Sequence, residues 1–244
     1  MERLTNPPIR EAVWEMAFAN DPLPTLALME EFGQHMRSSY PVLQHTHAVQ
    51  ITFGPEGEQP LPPTQVPDGI RLSNPSRPFV VLLKANVLAV ARLRPYTSFE
   101  DLRGEGLQVL ADWLRFVPDA NLVRLALRYV NEYRVSFAEG EFIGDYVQLV
   151  PHVMASEFPQ MLDAYAVQMT PVYSPDKQAA IAVNFQPVPG TDQTSIVLDI
   201  TVSQNGNFGQ DANAMTETTA GLRELKNRIF RQLVGPKAYA LFNA

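Results

Sequence analysis

The stretch NLVRLALRYVNEYRV, residues 121–135, decides the fold, because apolar and charged side chains alternate along most of its length. One set of alternate positions is apolar or aromatic: Val123, Leu125, Leu127 and Tyr129. The other set is charged: Arg124, Arg128, Glu132 and Arg134. Successive side chains of a β-strand point to opposite faces, so this pattern predicts one long strand with a buried face and a charged face.

The residues before this strand predict a strand, a helix and an antiparallel meander. Residues 9–18 alternate in polarity after Pro7 and Pro8, which is typical of a strand. Residues 24–40 carry apolar side chains at three- and four-residue steps, which favours a helix. Further elements are expected as strands at residues 45–53, 69–73, 78–84 and 87–93, and as a capped helix at residues 98–116.

The residues after the long strand repeat this order more briefly. Their expected elements are a short helix at residues 155–161, strands at 164–173, 178–187 and 195–203, and a long helix at 213–234. Five prolines in residues 54–68 and several turn-forming residues in 203–210 predict loops. We therefore predict an α+β protein of two topologically similar halves, each a curved antiparallel sheet packed on a long helix. The halves, residues 1–137 and 138–244, are expected to form one compact unit.

The composition is that of a folded globular chain, since 45% of the 244 residues are hydrophobic and 18% are charged. The formal net charge of -7 gives no general attraction to a phosphate backbone, so a nucleic-acid partner is not expected. The lack of cysteine excludes disulfides, thiolate metal sites and cysteine nucleophiles. No apolar run reaches about 18 residues, so we expect no membrane partner and a cytoplasmic location.

The sequence contains none of the common signatures of enzyme active sites in complete form. His45 and His47 would share one strand face, which supplies half of a metal site, and the other histidines are distant in sequence. No serine has the G-x-S-x-G context, and no glycine cluster has the setting of a phosphate-binding loop. Glu11 and Glu15 would lie about 13 Å apart, too far for a glycosidase pair. We therefore predict no catalytic residue, no metal and no cofactor.

The charged face of residues 121–135 is the most informative candidate for a binding site. The predicted site residues are Arg124, Arg128, Tyr129 and Arg134 from this stretch and Asp199 from a neighbouring strand. If a helix covers the charged face, the charges must pair with one another and their role is structural. If the face is open, the arginines form a surface for a carboxylate, a phosphate or an acidic partner.

These observations favour a non-catalytic binding or scaffold protein that acts through a protein partner or through self-association as a homo-oligomer. The alternative is a small-ligand binder or enzyme with a pocket between sheet and helix, in which Arg124, Arg128 or Tyr129 holds an anionic group. Nucleic-acid binding is a third class, and it would need the arginines to form an exposed, continuous stripe despite the acidic composition.

Short segments across nearly the whole chain form a recognisable set. They are Pro7-Pro8-Ile9, Glu11-Ala12-Val13, Phe18, Arg92-Leu93-Arg94-Pro95-Tyr96, Phe99, Arg128-Tyr129-Val130-Asn131, and the last long helix through Phe230 with Lys237 to Phe242 beyond it. With these PPI-x-EAV and RYVN-type patterns, the chain resembles a sporadically distributed family of uncharacterised bacterial proteins. The resemblance implies a shared topology, and it implies no activity and no set of catalytic residues.

Overall fold

The computed structural model describes residues 4–50, 64–151, 163–209 and 212–243. Ten strands in these residues pair antiparallel in one large sheet, and together with the helices they form an α+β fold, as predicted. The strands are β1 (Ile9–Phe18), β2 (Val42–Gln50), β3 (Thr64–Asn74), β4 (Arg77–Lys84), β5 (Val87–Leu93), β6 (Leu122–Val135), β7 (Tyr165–Met169), β8 (Val172–Ser174), β9 (Lys177–Pro187) and β10 (Thr194–Gly209). Their order across the sheet is β2-β3-β4-β5-β1-β6-β10-β9-β7, and β8 pairs with β9.

Strand β6 lies in the middle of the sheet, between β1 and β10. Leu127 stands opposite Trp14 of β1 and Val202 of β10, and all three side chains are buried. Tyr129 shares this face and is 1% exposed, whereas Arg128 lies on the other face and is half-exposed. The alternation along β6 therefore separates a buried face from a charged face.

The helices of the described residues all contact one face of the sheet, the face of Trp14 and Tyr129. They are α1 (Leu26–His35), α2 (Phe99–Trp113), α3 (Ala212–Leu233) and α4 (Pro236–Asn243), with short 3₁₀ turns at Met36–Ser38 and Ile143–Asp145. Gly106 of α2 lies directly against the Trp14 ring. Phe242 of α4 packs edge-on against Tyr133 of β6, with ring centroids 5.1 Å apart. We call this side the covered face and the opposite side, where none of these helices lies, the uncovered face.

Helix α2 begins with a side-chain cap followed by two acidic residues. Ser98 is the N-cap residue, and its hydroxyl accepts a hydrogen bond from the backbone N–H of Asp101 at 3.1 Å. Glu100 and Asp101 lie in the first turn, where the helix dipole favours negative charge. The capped start predicted at Ser98 is thereby confirmed.

Residues 64–68 begin β3, although they belong to the proline-rich stretch 54–68 that predicts a loop. Pro67 pairs with His47 of β2, and pairing with β4 begins only at Gly69. Because β3 has a single neighbour at Pro67, the missing N–H of the proline leaves no second strand without a hydrogen bond. The predicted loop is therefore shorter at this end, and residues 54–63 lie outside the described residues.

Residues 203–209 continue β10, although their turn-forming composition predicts a connector. Ser203 and Asn205 still pair with β6, and the register then shifts before Gly209 pairs with Leu122. The length of β6 provides hydrogen-bonding partners that override the local turn preference. A tertiary partner, rather than composition, sets the end of this strand.

The C-terminal part of the chain joins the same sheet. The strand predicted at residues 164–173 is divided into β7 and β8, with Pro171 between them. The helix predicted at residues 155–161 lies outside the described residues. The strands of residues 1–137 meet those of residues 138–244 along β6 and β10. That these two ranges are topologically similar halves stays a prediction.

Candidate functional site

A cavity of about 350 Å³ lies on the covered face, between β6, the start of α2 and the C-terminal part of α3. Tyr129 and Asn131 of β6 line it from the sheet, and residues 96–100 and one side of α3 line it from above. Pro8 and Tyr239 contribute from the two ends of the chain. We call this space the α3 cavity. Its volume falls in the range of small-molecule sites, about 300 to 1,000 Å³.

Two tyrosines bring hydroxyl groups to the α3 cavity. The hydroxyl of Tyr129 lies 3.3 Å from that of Tyr96, and the two rings meet edge-on with centroids 5.9 Å apart. Burial raises the pKa of Tyr129 well above its ordinary value, and burial also raises the pKa of Tyr96. Both hydroxyls therefore keep their protons near neutral pH, where each can donate or accept a hydrogen bond.

Lys226 of α3 is buried against Tyr129. The residue is 8% exposed, and its Nζ lies 3.9 Å from the centroid of the Tyr129 ring. Within the described ranges, no carboxylate forms an ion pair with this amine. Burial, with the positive charges of Arg223 and Arg231 as the further causes, lowers the pKa of Lys226 to about 7. A substantial fraction of this amine is therefore unprotonated at neutral pH.

Arg223 connects α3 to the first turn of α2. Its Nη1 donates to Oε1 of Glu100 at 2.8 Å, and its guanidinium carbon lies 4.6 Å from the centroid of the Phe99 ring. The carboxylate of Glu100 accepts a hydrogen bond from the backbone N–H of Glu100 itself, which lowers its pKa. Arg223 lowers this pKa further, so the carboxylate stays ionised. Arg231 is exposed at the rim of the cavity, and the structure gives it no ion pair with any described residue.

The α3 cavity has an excess of positive charge and a partly aromatic wall. Two arginines and a partly protonated lysine stand against one carboxylate, that of Glu100. Phe99, Phe230 and Tyr239 supply apolar ring surface beside these charges. Such a combination suits a small anion with an apolar part, because the cations offset its charge and the rings cover its hydrocarbon surface.

The five predicted site residues do not form one site. Tyr129 lines the α3 cavity, whereas four of the five lie on the uncovered face: Arg124, Arg128, Arg134 and Asp199. Strand alternation separates them, since Tyr129 and Arg128 are neighbours in sequence and point in opposite directions.

The uncovered face combines open arginines with ion pairs. Arg128 holds Asp199 at two points, with Nη2–Oδ2 at 2.6 Å and Nε–Oδ1 at 3.1 Å. Arg124 pairs with Glu15 on the same face. The sequence leaves two alternatives, paired charges under a helix or free arginines on an open face. The structure matches neither alternative in full, because the charges pair on a face that no described helix covers. This face carries no described helix, and two of its arginines already have carboxylate partners.

Lys226 and Tyr96 are missing from the sequence-based site, although the sequence holds a signal for the lysine. Lys226 lies four residues after Leu222 and three before Ile229, so it falls on the apolar stripe of α3. Lysine is rarely buried, and its presence among core positions indicates a special environment. The approach of Tyr96 to Tyr129 depends on the fold, and no local pattern marks it.

Two histidines of the described ranges, His35 and His45, each contact a single carboxylate. His45 Nε2 lies 2.7 Å from Oε1 of Glu30, and His35 Nε2 lies 3.7 Å from Oδ1 of Asp112. In residues 4–50, 64–151, 163–209 and 212–243, no three histidine, aspartate or glutamate side chains come together in a way that could hold a metal ion. Among the helices of these same residues, none combines the length and the apolar character needed to cross a membrane.

No protein-family model matches the chain, and no curated protein matches it. The resemblance that rests on the PPI-x-EAV and RYVN-type patterns therefore stays a prediction. The structure nevertheless shows where its segments lie. Residues of each of the main segments line the α3 cavity: Pro7, Pro8 and Ile9, then Tyr96 and Phe99, then Tyr129 and Asn131, and finally Phe230. Segments far apart in sequence thus meet around one space.

Proposed function

We propose that the protein binds a small organic anion in the α3 cavity. One observation carries the proposal: Lys226 is more than nine-tenths buried, borders the cavity and has no carboxylate partner among the described residues. The anionic group of the ligand lies near Lys226 and Arg231, and its apolar part packs against Phe99 and Phe230. This is the pocket between sheet and helix that the sequence offers as an alternative, with Tyr129 retained and the cations supplied by α3.

The energetics of the buried amine support this proposal. Removing a charged ammonium from water without a counter-ion costs several kcal/mol, and a protein rarely retains such a residue inside its core. An anionic ligand would supply the missing counter-charge, and the low dielectric of the cavity would strengthen the attraction. The hydroxyls of Tyr96 and Tyr129 offer hydrogen bonds to the same group.

Thermal unfolding with a panel of small carboxylates and phosphates tests the proposal. Phenyllactate carries one carboxylate and one ring, and phenyllactamide is its neutral counterpart. At about 100 times its Kd, phenyllactate is expected to raise Tm by about 5 °C, whereas the amide raises it by less than about 1 °C. Lys226→Met should remove the response to phenyllactate.

Lys237→Met is the matched control, because Lys237 lies on α4 and donates to Glu141 at 2.7 Å, away from the lining of the cavity. It should respond to phenyllactate as the wild type does. A panel without any stabilising anion would contradict the proposal. So would a Lys226→Met variant that responds as strongly as the wild type.

The uncovered face favours a second candidate function, the binding of a protein partner or of a second copy of the chain. The side chains of two of its ion pairs, Arg124–Glu15 and Arg128–Asp199, are between 24% and 49% exposed. A surface with charges of both signs suits a polar protein interface. Light scattering after size exclusion should show an oligomer or a stable complex, and a strictly monomeric protein without a partner would count against this interface. We further propose that the protein is located in the cytoplasm.

A further inference from the structure

Lys226 differs from Lys84 and Lys237 in what surrounds its amine. The chain has four lysines, Lys84, Lys177, Lys226 and Lys237. Lys84 forms an ion pair with Asp68 at 2.5 Å, and Lys237 forms one with Glu141 at 2.7 Å. Lys226 instead lies over the ring of Tyr129 beside an open cavity. A carboxylate partner holds a lysine in its charged form, whereas burial beside other cations favours the neutral amine, which is the nucleophilic form.

We propose that Lys226 forms a Schiff base with a carbonyl group of the bound anion, and that the ligand class is therefore a 2-oxo acid. The inference rests on the proposed function, because the anionic site is what brings the carbonyl carbon to the amine. The cavity geometry supports it: the amine, two hydroxyl groups and the exposed guanidinium of Arg231 at the rim surround a single space of about 350 Å³. A 2-oxo acid places a carboxylate directly beside its carbonyl carbon, so one ligand engages both the cations and the amine.

The bonds and protons of this condensation balance without any co-reactant. The lone pair of Nζ attacks the carbonyl carbon and forms a C–N bond, while the carbonyl oxygen takes up a proton to give a carbinolamine. The nitrogen gives up one of its two protons as the neutral carbinolamine forms. The hydroxyl group then takes up a proton and leaves as water while the nitrogen lone pair forms the C=N bond, and loss of the second nitrogen proton gives the neutral imine. Tyr129 and Tyr96 keep their protons near neutral pH, so these hydrogen-bonded hydroxyls supply each proton to the oxygen and recover it from the nitrogen.

The charged and titratable groups around Lys226 come from each wall of the cavity. Arg223 and Arg231 lie on its own helix, Glu100 lies on α2, Tyr129 lies on β6, and Tyr96 precedes α2. Glu100 is held by Arg223, so its charge is offset by a cation other than Lys226. The lowered pKa of Lys226, about 7, agrees with this arrangement. An ordinary lysine, with a pKa of about 10.4, has only about one unprotonated amine in 2,500 at pH 7.

Reductive trapping tests the inference on the full chain. The protein is incubated at pH 7 with phenylpyruvate, or with the smaller glyoxylate, and sodium cyanoborohydride. Intact mass should increase by the mass of the oxo acid less one oxygen atom. Peptide mapping should place the adduct on Lys226, at least about tenfold above each of the other three lysines, because a far larger fraction of this amine is unprotonated. The same map separates any adduct on the α-amino group.

Two variants and one non-carbonyl ligand sharpen this test. Lys226→Met should lose the adduct, whereas Lys237→Met should keep it. Mapping on the wild-type chain gives the same answer if Lys226→Met does not fold. Stabilisation by phenyllactate without an adduct on Lys226 from either oxo acid would overturn the Schiff base and leave anion binding intact. If phenyllactate does not stabilise the protein and neither oxo acid forms an adduct on Lys226, anion binding and the Schiff base are both overturned. An adduct spread evenly over the four lysines would also overturn the inference.

Discussion

The two faces of β6 differ in whether their positively charged side chains have counter-ions. On the uncovered face, Arg128 is half-exposed to water and holds Asp199 at two points. On the covered face, Lys226 is buried over Tyr129 and lacks a carboxylate partner among the described residues. The exposed Arg128 thus has a counter-ion, whereas the buried Lys226 has none in the part of the chain that the structure describes. The second arrangement is unfavourable for stability, which is why we place the function on the covered face.

Replacement of Lys226 is expected to produce the largest effect, and the effect is a gain in stability. Unfolded chains bind the lysine proton below about pH 10.5, and the folded chain binds it only below about pH 7. Between these values the unfolded state holds more protons, so the free energy of unfolding rises with pH. Lys226→Met removes this burden, and it should stabilise the protein by about 4 kcal/mol at pH 7 and by less than about 1 kcal/mol at pH 10.

Urea unfolding of the wild type and of Lys226→Met at several pH values between 7 and 10 measures this difference. Lys237→Met is again the control, because its amine is outside the cavity and ion-paired, and its effect should show no comparable pH dependence. A stability difference between the wild type and Lys226→Met that stays constant over this pH range would show that folding does not lower the pKa of Lys226. The comparison between the two faces would then fail.

Truncation of leucines on the two faces should produce the next largest effect. Leu88 of β5 is fully buried on the covered face opposite Met16, and Leu82 of β4 is half-buried on the uncovered face opposite Ala89. Leu88→Ala should lower the free energy of unfolding by about 3 kcal/mol, because it leaves a cavity in the core. Leu82→Ala should lower it by less than about 1.5 kcal/mol, because water fills the vacated space. Equal losses in urea unfolding would indicate that something covers the second face in solution.

The sequence predicts the division into two faces well, because strand alternation is a local property. Leu125, Leu127 and Tyr129 alternate with Arg124 and Arg128, and no knowledge of neighbouring strands is needed to separate them. The start of α2 is equally local, since a capping serine and two acidic residues mark it. The ends of β3 and β10 are different, because their pairing partners decide whether prolines and turn-forming residues stay in a strand.

The candidate site is predictable only in its parts. Lys226 stands out among the apolar positions of α3, and this anomaly can be found from the sequence alone. What the amine faces cannot be found that way. Tyr96, Tyr129 and Pro8 reach the cavity from segments that are distant in sequence, and the order of the strands brings them together. Arg124, Arg128 and Arg134 form a stronger local pattern than the single Lys226, and they point to the uncovered face. Strand alternation shows which side chains share a face, but it gives no information about where a cavity lies.

The ion pair of the uncovered face should give the smallest effect, and its size sharpens the comparison with Lys226. Arg128 is raised in pKa by its hydrogen bonds to Asp199, yet its side chain is half-exposed, so solvent weakens the attraction. A double-mutant cycle with Arg128→Ala and Asp199→Ala should yield a coupling free energy of less than about 1 kcal/mol, and 1 M salt should reduce it further. Coupling above about 2 kcal/mol, insensitive to salt, would mean that the pair is shielded from water. A partner or a second copy would then cover this face, and the proposed protein interface would gain support over the α3 cavity as the main site of function.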